Sequence, residues 1–116
     1  MIRLARLCII RNIDSAHGKN IHGHTFRIEI NFVDKLINNM VGNLDFHEVI
    51  PRIDEVIKKL DKTYIDDVIK MRGTVENIAI YILNNLKGMD NLYSVIVYEG
   101  QDKYVEILKN EVEGEI

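Results

Sequence analysis

The sequence predicts a two-layer α+β domain in which two helices cover one face of a four-stranded antiparallel sheet. Alternating apolar residues predict two strands towards each end of the chain, and two central segments carry apolar residues at helical spacing. The predicted order of elements is therefore β-β-α-α-β-β. A chain of 116 residues can bury one modest core, so we expect residues 1–116 to form a single domain.

The first two strands are predicted at residues 2–13 and 22–33. Apolar residues of both parities in the first segment predict a strand that is partly buried on both faces. We expect Cys8, the only cysteine, to be a small buried thiol there. Residues 14–21 are polar and predict a loop. In the second segment the alternation is regular, and its apolar side consists of Phe26, Ile28, Ile30 and Phe32.

The first helix is predicted after a turn-rich connection at residues 34–43. Asp45 can cap its N-terminus, and Glu48 three residues later completes a capping box. Pro51 either kinks this helix or marks its first turn. The apolar stripe consists of Val49, Ile53, Val56, Ile57 and Leu60.

The second helix is predicted after a connection at residues 61–73. Thr74 is a suitable N-cap, and Gly88 is a reasonable stop after the last apolar position. The apolar stripe consists of Ile78, Tyr81, Ile82 and Leu86.

Two further strands are predicted at residues 92–99 and 104–108, on either side of a hairpin turn at residues 100–103. The charged tail at residues 111–115 is expected to be frayed and solvated.

Composition and charge narrow the classes of partner. The net charge is −3 and the basic residues are scattered, so we expect no nucleic-acid partner. No apolar stretch approaches the ~20 residues that a membrane helix needs, and the first ten residues lack the pattern of a secretion signal. We therefore expect a cytoplasmic protein with a small-molecule ligand and no membrane partner.

Three of the four histidines lie within eight positions. On an extended segment, His22 and His24 point to the same face about 6.6 Å apart, so they can bind one ion, and His17 can join them from the preceding loop. Three imidazoles without a fourth protein ligand are typical of a catalytic zinc site, where water or substrate takes the open position. The alternative is a chance cluster; the isolated His47 is interpreted as a surface or hydrogen-bonded residue.

The chain resembles the family of 6-pyruvoyltetrahydropterin and 6-carboxytetrahydropterin synthases. The similar stretches are Ser15-Ala16-His17, Ile21-His22-Gly23-His24, and Gly73-Thr74-Val75-Glu76-Asn77, in which glycine stands where the family commonly has proline. The resemblance implies the tunnelling fold, and it implies Zn²⁺ bound by the three histidines. It also implies a homohexamer built as a dimer of trimers, with pockets between neighbouring subunits. Two unpaired sheet edges in each subunit are compatible with that assembly.

The same resemblance implies which residues bind the substrate. Thr74 and Glu76 take a place in the pocket, although helix capping and compensation of the helix dipole explain both residues equally well. Glu99 takes the place of the glutamate that grips the pterin ring, where a carboxylate accepts two parallel hydrogen bonds. From its position alone, Glu99 would be interpreted as a solvated strand residue.

The chain departs from the family at the residues that move protons. Residues 18–21, before the second histidine segment, contain no cysteine, and Leu60-Asp61-Lys62 resembles the family's L-D-H with lysine in place of histidine. A lysine normally stays protonated, so it is a poor replacement for a neutral imidazole as base. The candidate catalytic residues are therefore Asp61, Lys62 and Lys19, with hydroxide held by the metal as a further alternative.

These features support a zinc-dependent pterin enzyme that catalyses elimination, epimerisation or retro-aldol cleavage on the side chain of a dihydroneopterin derivative. The missing cysteine and histidine motivate an alternative, a pterin- or purine-binding homologue without turnover. A structural protein with chance histidines is a third possibility.

Overall fold

A computed structural model describes residues 1–109. The elements are β1 (Leu4–His17), β2 (His22–Ile37), β3 (Met40–Val41), α1 (Phe46–Lys58), α2 (Ile65–Ile69), α3 (Val75–Asn85), β4 (Leu92–Glu99) and β5 (Lys103–Leu108). Four strands form an antiparallel sheet in the order β1-β2-β4-β5, and β3 pairs with the far end of β2. The predicted fold class is confirmed, with β3 and α2 as short additions.

The β1–β2 hairpin is longer than the sequence predicts. β1 continues into the expected loop as far as His17, which pairs with His22 at the predicted start of β2, so only a four-residue turn remains. The polar residues at the end of β1 are satisfied by partners that are distant in sequence. Lys62 N–H donates to Asp14 O at 2.8 Å, and Ala16 N–H donates to Thr63 O at 2.9 Å. The prediction of a loop over residues 14–21 was therefore wrong for its first half.

The first strand is buried on one face only. Ile9 and Ile13 are buried, whereas Ile10 on the opposite face is 43% exposed. Cys8 also lies exposed, so the predictions of a buried thiol and of burial on both faces were wrong for the single chain. The physical reason is that the helices pack against one side of the sheet and leave the other side, here called the helix-free face, without a covering layer.

The core lies between the sheet and the helices. The fully buried side chains include Phe26, Phe32, Ile53, Ile78, Ile82 and Val95. They belong to β2, α1, α3 and β4, as the alternating and helical patterns predict. Across the described residues 1–109, no helix is long and apolar enough to cross a membrane.

Both long helices begin at the predicted caps. The Asp45 carboxylate accepts from His47 N–H at 2.9 Å, and Thr74 Oγ1 accepts from Asn77 N–H at 3.1 Å. Pro51 lies inside α1, beyond its first turn. The connection predicted at residues 61–73 contains α2, a single five-residue helix that is too short to produce a recognisable period. The tail predicted at residues 111–115 lies outside the described residues.

Candidate metal centre and ligand cavity

The three clustered histidines meet at the closed end of the β1–β2 hairpin. Pairing of His17 with His22 places one imidazole of β1 beside those of β2. The ring centroids of His17 lie 4.6 Å from those of His22 and 5.0 Å from those of His24. One ring nitrogen of each histidine lies within 4.8 Å of the other two. The structure thus brings the three residues together at a spacing that one ion can bridge, with His17 on a strand rather than in a loop.

The ring of His17 has one nitrogen fixed and one free. Its Nδ1 lies 2.6 Å from Gly73 O. Because a carbonyl oxygen only accepts, Nδ1 carries the proton and Nε2 presents a lone pair. That Nε2 is buried and has no hydrogen-bond partner among residues 1–109. A buried nitrogen without a partner costs free energy unless another group, such as a metal ion, satisfies it.

The other two rings are compatible with the same ion. His22 Nδ1 lies 2.6 Å from Asn20 O, so it donates to that carbonyl and leaves Nε2 as the ligand atom. His24 is half-buried, and its ring lies edge-on to Phe26 with the centroids 5.7 Å apart. Three neutral imidazoles fit a divalent zinc ion with an open fourth position, and the cluster found in residues 1–109 contains these three groups only.

A cavity of about 570 Å³ opens beside the cluster. Its lining includes His17 and His22 together with the three predicted substrate-binding residues, Thr74, Glu76 and Glu99. Glu99 Oε2 lies 3.4 Å from His17 Nε2, and Glu99 Oε1 lies 3.9 Å from Lys103 Nζ. The cluster and the carboxylate expected to bind a ring therefore belong to one cavity.

Thr74 and Glu76 line this cavity from the first turn of α3. Thr74 also caps the helix through its hydroxyl, which is the ordinary role considered from the sequence. Glu76 is exposed and lies where a negative charge compensates the helix dipole. The capping role of Thr74 and a position in the cavity therefore coexist.

The three candidate bases lie in different places. Lys19 belongs to the turn between the histidines and lines the cavity. Asp61 and Lys62 do not line it, because their segment follows the outer edge of β1. Asp61 Oδ1 accepts from Asp14 N–H at 2.9 Å, and Lys62 has a left-handed backbone with φ of 57°. Within one chain, the structure does not bring Asp61 and Lys62 to the histidines.

Several residues of the site carry no clear signal in the sequence. Arg72, Lys103 and Tyr104 line the cavity but occur in a connection and at the start of an edge strand, where charged and polar residues are common. Asp66 lies in the unpredicted α2, and its Oδ1 accepts from Gly18 N–H at 3.0 Å. Partial burial opposes its ionisation, but backbone hydrogen bonds, including those from Gly18 and Gly73, outweigh that effect and lower the pKa of Asp66.

The glycine at residue 73 has a steric explanation. A Cβ built on Gly73 would lie 3.1 Å from His17 Cβ and would collide with the Asp66 carboxylate. Proline also carries a Cβ at that place, so the presence of Asp66 in this position requires glycine here. Glycine in place of the family's common proline is thus explained by the close packing of residue 73 against His17 and Asp66.

The fold and the site define a class: a small α+β protein with a candidate three-histidine metal centre beside a cavity whose lining includes Glu99. A sequence model described as 6-pyruvoyl tetrahydropterin synthase matches residues 6–110. The chain belongs to this family.

Several solved structures share the fold of this chain. The 6-pyruvoyl tetrahydropterin synthase of Caenorhabditis elegans superposes with a TM-score of 0.80 at 18% identity, covering 92% of this chain and 96% of that one. The Plasmodium vivax synthase has a TM-score of 0.70 at 16% identity and covers 94% and 99%. A catalytic-residue mutant of the P. vivax synthase gives 0.69 at 15% identity, with the same coverage. A search of curated proteins finds no significant match.

Proposed function

We propose that the chain is a zinc-dependent enzyme that acts on the side chain of a dihydroneopterin-type substrate. One observation carries this proposal: the buried, unpartnered Nε2 of His17 lies 3.4 Å from Glu99 Oε2 inside a cavity of ligand size. The proposed metal ligand and the carboxylate proposed to bind the ring therefore lie side by side. Family membership supports a pterin as the ligand.

The proposed roles follow from the chemistry of the lining residues. His17, His22 and His24 hold Zn²⁺, which when bound would supply Lewis acidity towards a substrate hydroxyl or carbonyl oxygen. The Glu99 carboxylate accepts two parallel hydrogen bonds from the N–H and amino groups of the pterin ring. Thr74 lies at the cavity wall and offers its hydroxyl oxygen.

Proton transfer is assigned to Lys19. It is the one of the three candidate bases that lines the cavity. Asp61 and Lys62 would reach a substrate only in a cavity of a neighbouring subunit. General acid–base groups contribute roughly 10²- to 10⁴-fold to a rate, so this assignment has a measurable consequence.

The proposed assembly is a homohexamer made from two trimers, located in the cytoplasm. Two features support self-association. In residues 1–109, β5 pairs with β4 alone, so its outer edge is open, and the helix-free face exposes apolar groups such as Ile10. Light scattering on the purified protein tests the subunit number, and a stable monomer at micromolar concentration would contradict it.

The central experiment combines metal analysis with a substrate panel. Purified protein should contain or take up one zinc per chain, and it should convert dihydroneopterin or its phosphorylated derivatives to a product that mass spectrometry identifies. The His22→Ala variant should lose both properties, whereas His47→Ala should retain them, because His47 is exposed and lies outside the cluster. A wild-type protein that binds no zinc and changes no substrate would refute the proposal.

A second candidate function is pterin binding without turnover. The specific observation in its favour is that the chain's single cysteine, Cys8, is exposed on β1 and lines no part of the cavity, and that Asp61 is bound to Asp14 N–H. This alternative predicts calorimetric binding of a pterin that depends on Glu99, with the ligand recovered unchanged. Any product formed in proportion to enzyme would exclude it.

A further inference from the structure

Gly18, the residue that follows His17, is hydrogen-bonded through both its N–H and its carbonyl to the segment that contains α2. Gly18 N–H donates to Asp66 Oδ1 at 3.0 Å, and Tyr64 Oη donates to Gly18 O at 2.8 Å. Gly18 has φ of +93°, a conformation that glycine adopts without a steric penalty. These two contacts fix the turn that joins His17 to His22.

Asp66 also contacts Gly73, whose carbonyl is hydrogen-bonded to the His17 imidazole. Its carboxylate packs closely against Gly73, because a Cβ built on that glycine would collide with Asp66 Oδ1. The carbonyl of Gly73 in turn accepts the proton of His17 Nδ1 at 2.6 Å. The side chain of Asp66 therefore lies between the two backbone residues, Gly18 and Gly73, that border the His17 ring.

We propose that Asp66 is a positioning residue of the metal centre, which holds Gly73 O where it accepts from His17 Nδ1 and so keeps His17 Nε2 available as the ligand atom. The inference rests on the proposed metal-binding function. The physical reason is that a carbonyl bound to the far nitrogen of a ligating histidine selects its tautomer and ring orientation, and loss of such a partner typically lowers metal affinity by about 10- to 100-fold. Asp66 does not contact the His17 ring directly but acts through Gly73, so we expect its loss to lower metal affinity by about 10-fold, the lower end of that range.

The first test needs no metal. In chelator-treated wild-type protein, ¹⁵N NMR of the His17 ring should show the proton on Nδ1. In Asp66→Ala it should show a mixture of tautomers, because Gly73 O is no longer held in place. Asp67→Ala is the matched control, since Asp67 is the exposed neighbour in the same short helix. An unchanged His17 tautomer in Asp66→Ala would overturn the proposal.

The second test measures zinc affinity by competition with a chelator, together with thermal unfolding of the metal-free variants. Asp66→Ala should lose about 10-fold in affinity, and Asp66→Asn should lose less because its amide oxygen can still accept one N–H. Asp67→Ala should stay within about twofold of wild type. Equal losses in the Asp66 and Asp67 variants, or losses that merely follow unfolding temperature, would contradict a positioning role.

The two proposals fail separately. If wild-type protein binds no zinc, the proposed function is wrong and the NMR result alone decides the role of Asp66. If Asp66→Ala does not fold, Asp66→Asn takes its place in both measurements, because its side chain has the same shape and keeps one acceptor oxygen. A wild-type tautomer together with wild-type affinity in Asp66→Asn would then refute the inference.

Discussion

His17 Nε2 and Glu99 Oε2 lie 3.4 Å apart, so this contact brings the end of β1 next to the end of β4. His17 ends β1 and Glu99 ends β4, and both strands flank β2, which carries the other two histidines. The sheet order thus places a carboxylate beside a nitrogen of the candidate metal centre. A ligand in this cavity would contact both groups.

Removal of any one clustered histidine should abolish tight metal binding. Loss of a hydrogen-bond partner of a ligating histidine typically weakens metal binding by roughly 10- to 100-fold. We expect His24→Ala to weaken zinc binding by more than this, because the variant loses a ligand itself. Chelator competition measures the affinity, and His47→Ala serves as the histidine control because its side chain is 95% exposed. Retention of wild-type affinity in His24→Ala would contradict the three-histidine site.

Glu99→Gln should weaken pterin binding by about 10- to 100-fold. The reason is that the carboxylate accepts two hydrogen bonds from the ring, whereas an amide offers one oxygen acceptor and one donor group, and a charged hydrogen bond contributes about 1.5–3 kcal/mol. Calorimetry with the zinc-loaded protein measures the dissociation constant. Glu55→Gln on the exposed side of α1 is the matched control. Equal affinities of Glu99→Gln and wild type would remove Glu99 from the proposed site.

Lys19→Gln should lower turnover about 100-fold while pterin affinity changes little, because the residue is proposed to move a proton rather than to hold the ring. Lys62→Gln distinguishes the alternatives. If Lys62→Gln is the variant that loses turnover, the reacting group comes from the neighbouring subunit's segment, and the assignment of Lys19 is wrong. Lys58→Gln, at the exposed end of α1, controls for loss of charge.

Thr74→Ala should destabilise the fold by about 1 kcal/mol, because the hydroxyl that accepts from Asn77 N–H is lost. Thr74→Ser should unfold near the wild-type denaturant midpoint, since serine caps equally well. Urea unfolding of the metal-free protein measures both. A Thr74→Ala variant as stable as wild type would mean that solvent replaces the cap.

The sequence predicts those elements whose conformation is determined by residues close together in the chain. Regular alternation in residues 22–33 predicts β2 and its buried side, and Thr74 marks the start of α3. The end of β1 was missed because its polar residues are satisfied by Lys62 and Thr63, which lie far away in the chain. Local pattern contains no information about such partners.

The same reasoning explains the errors at single residues. Cys8 lies in an apolar run, but the helices cover only the opposite face, so its exposure depends on the arrangement of layers. Asp66 is one of two adjacent aspartates, and only the packing of its loop against Gly18 distinguishes it from Asp67. Contacts across the fold decide both cases, and a single sequence does not reveal them.

Asp66 should also make stability depend on pH. Burial opposes ionisation of Asp66 and is the largest single influence on its pKa, but several backbone hydrogen bonds together outweigh it and lower the folded-state pKa below the ordinary value of 3.8. A carboxylate of this kind contributes stability that is fully present above the unfolded-state pKa and is lost as the pH falls through the folded-state pKa. The stability difference between wild type and Asp66→Asn should therefore be constant from about pH 7 to pH 5 and should shrink below about pH 4. Urea unfolding in chelator measures this difference at each pH. A pH-independent difference would mean that the ionised form of Asp66 is not the one that holds Gly18.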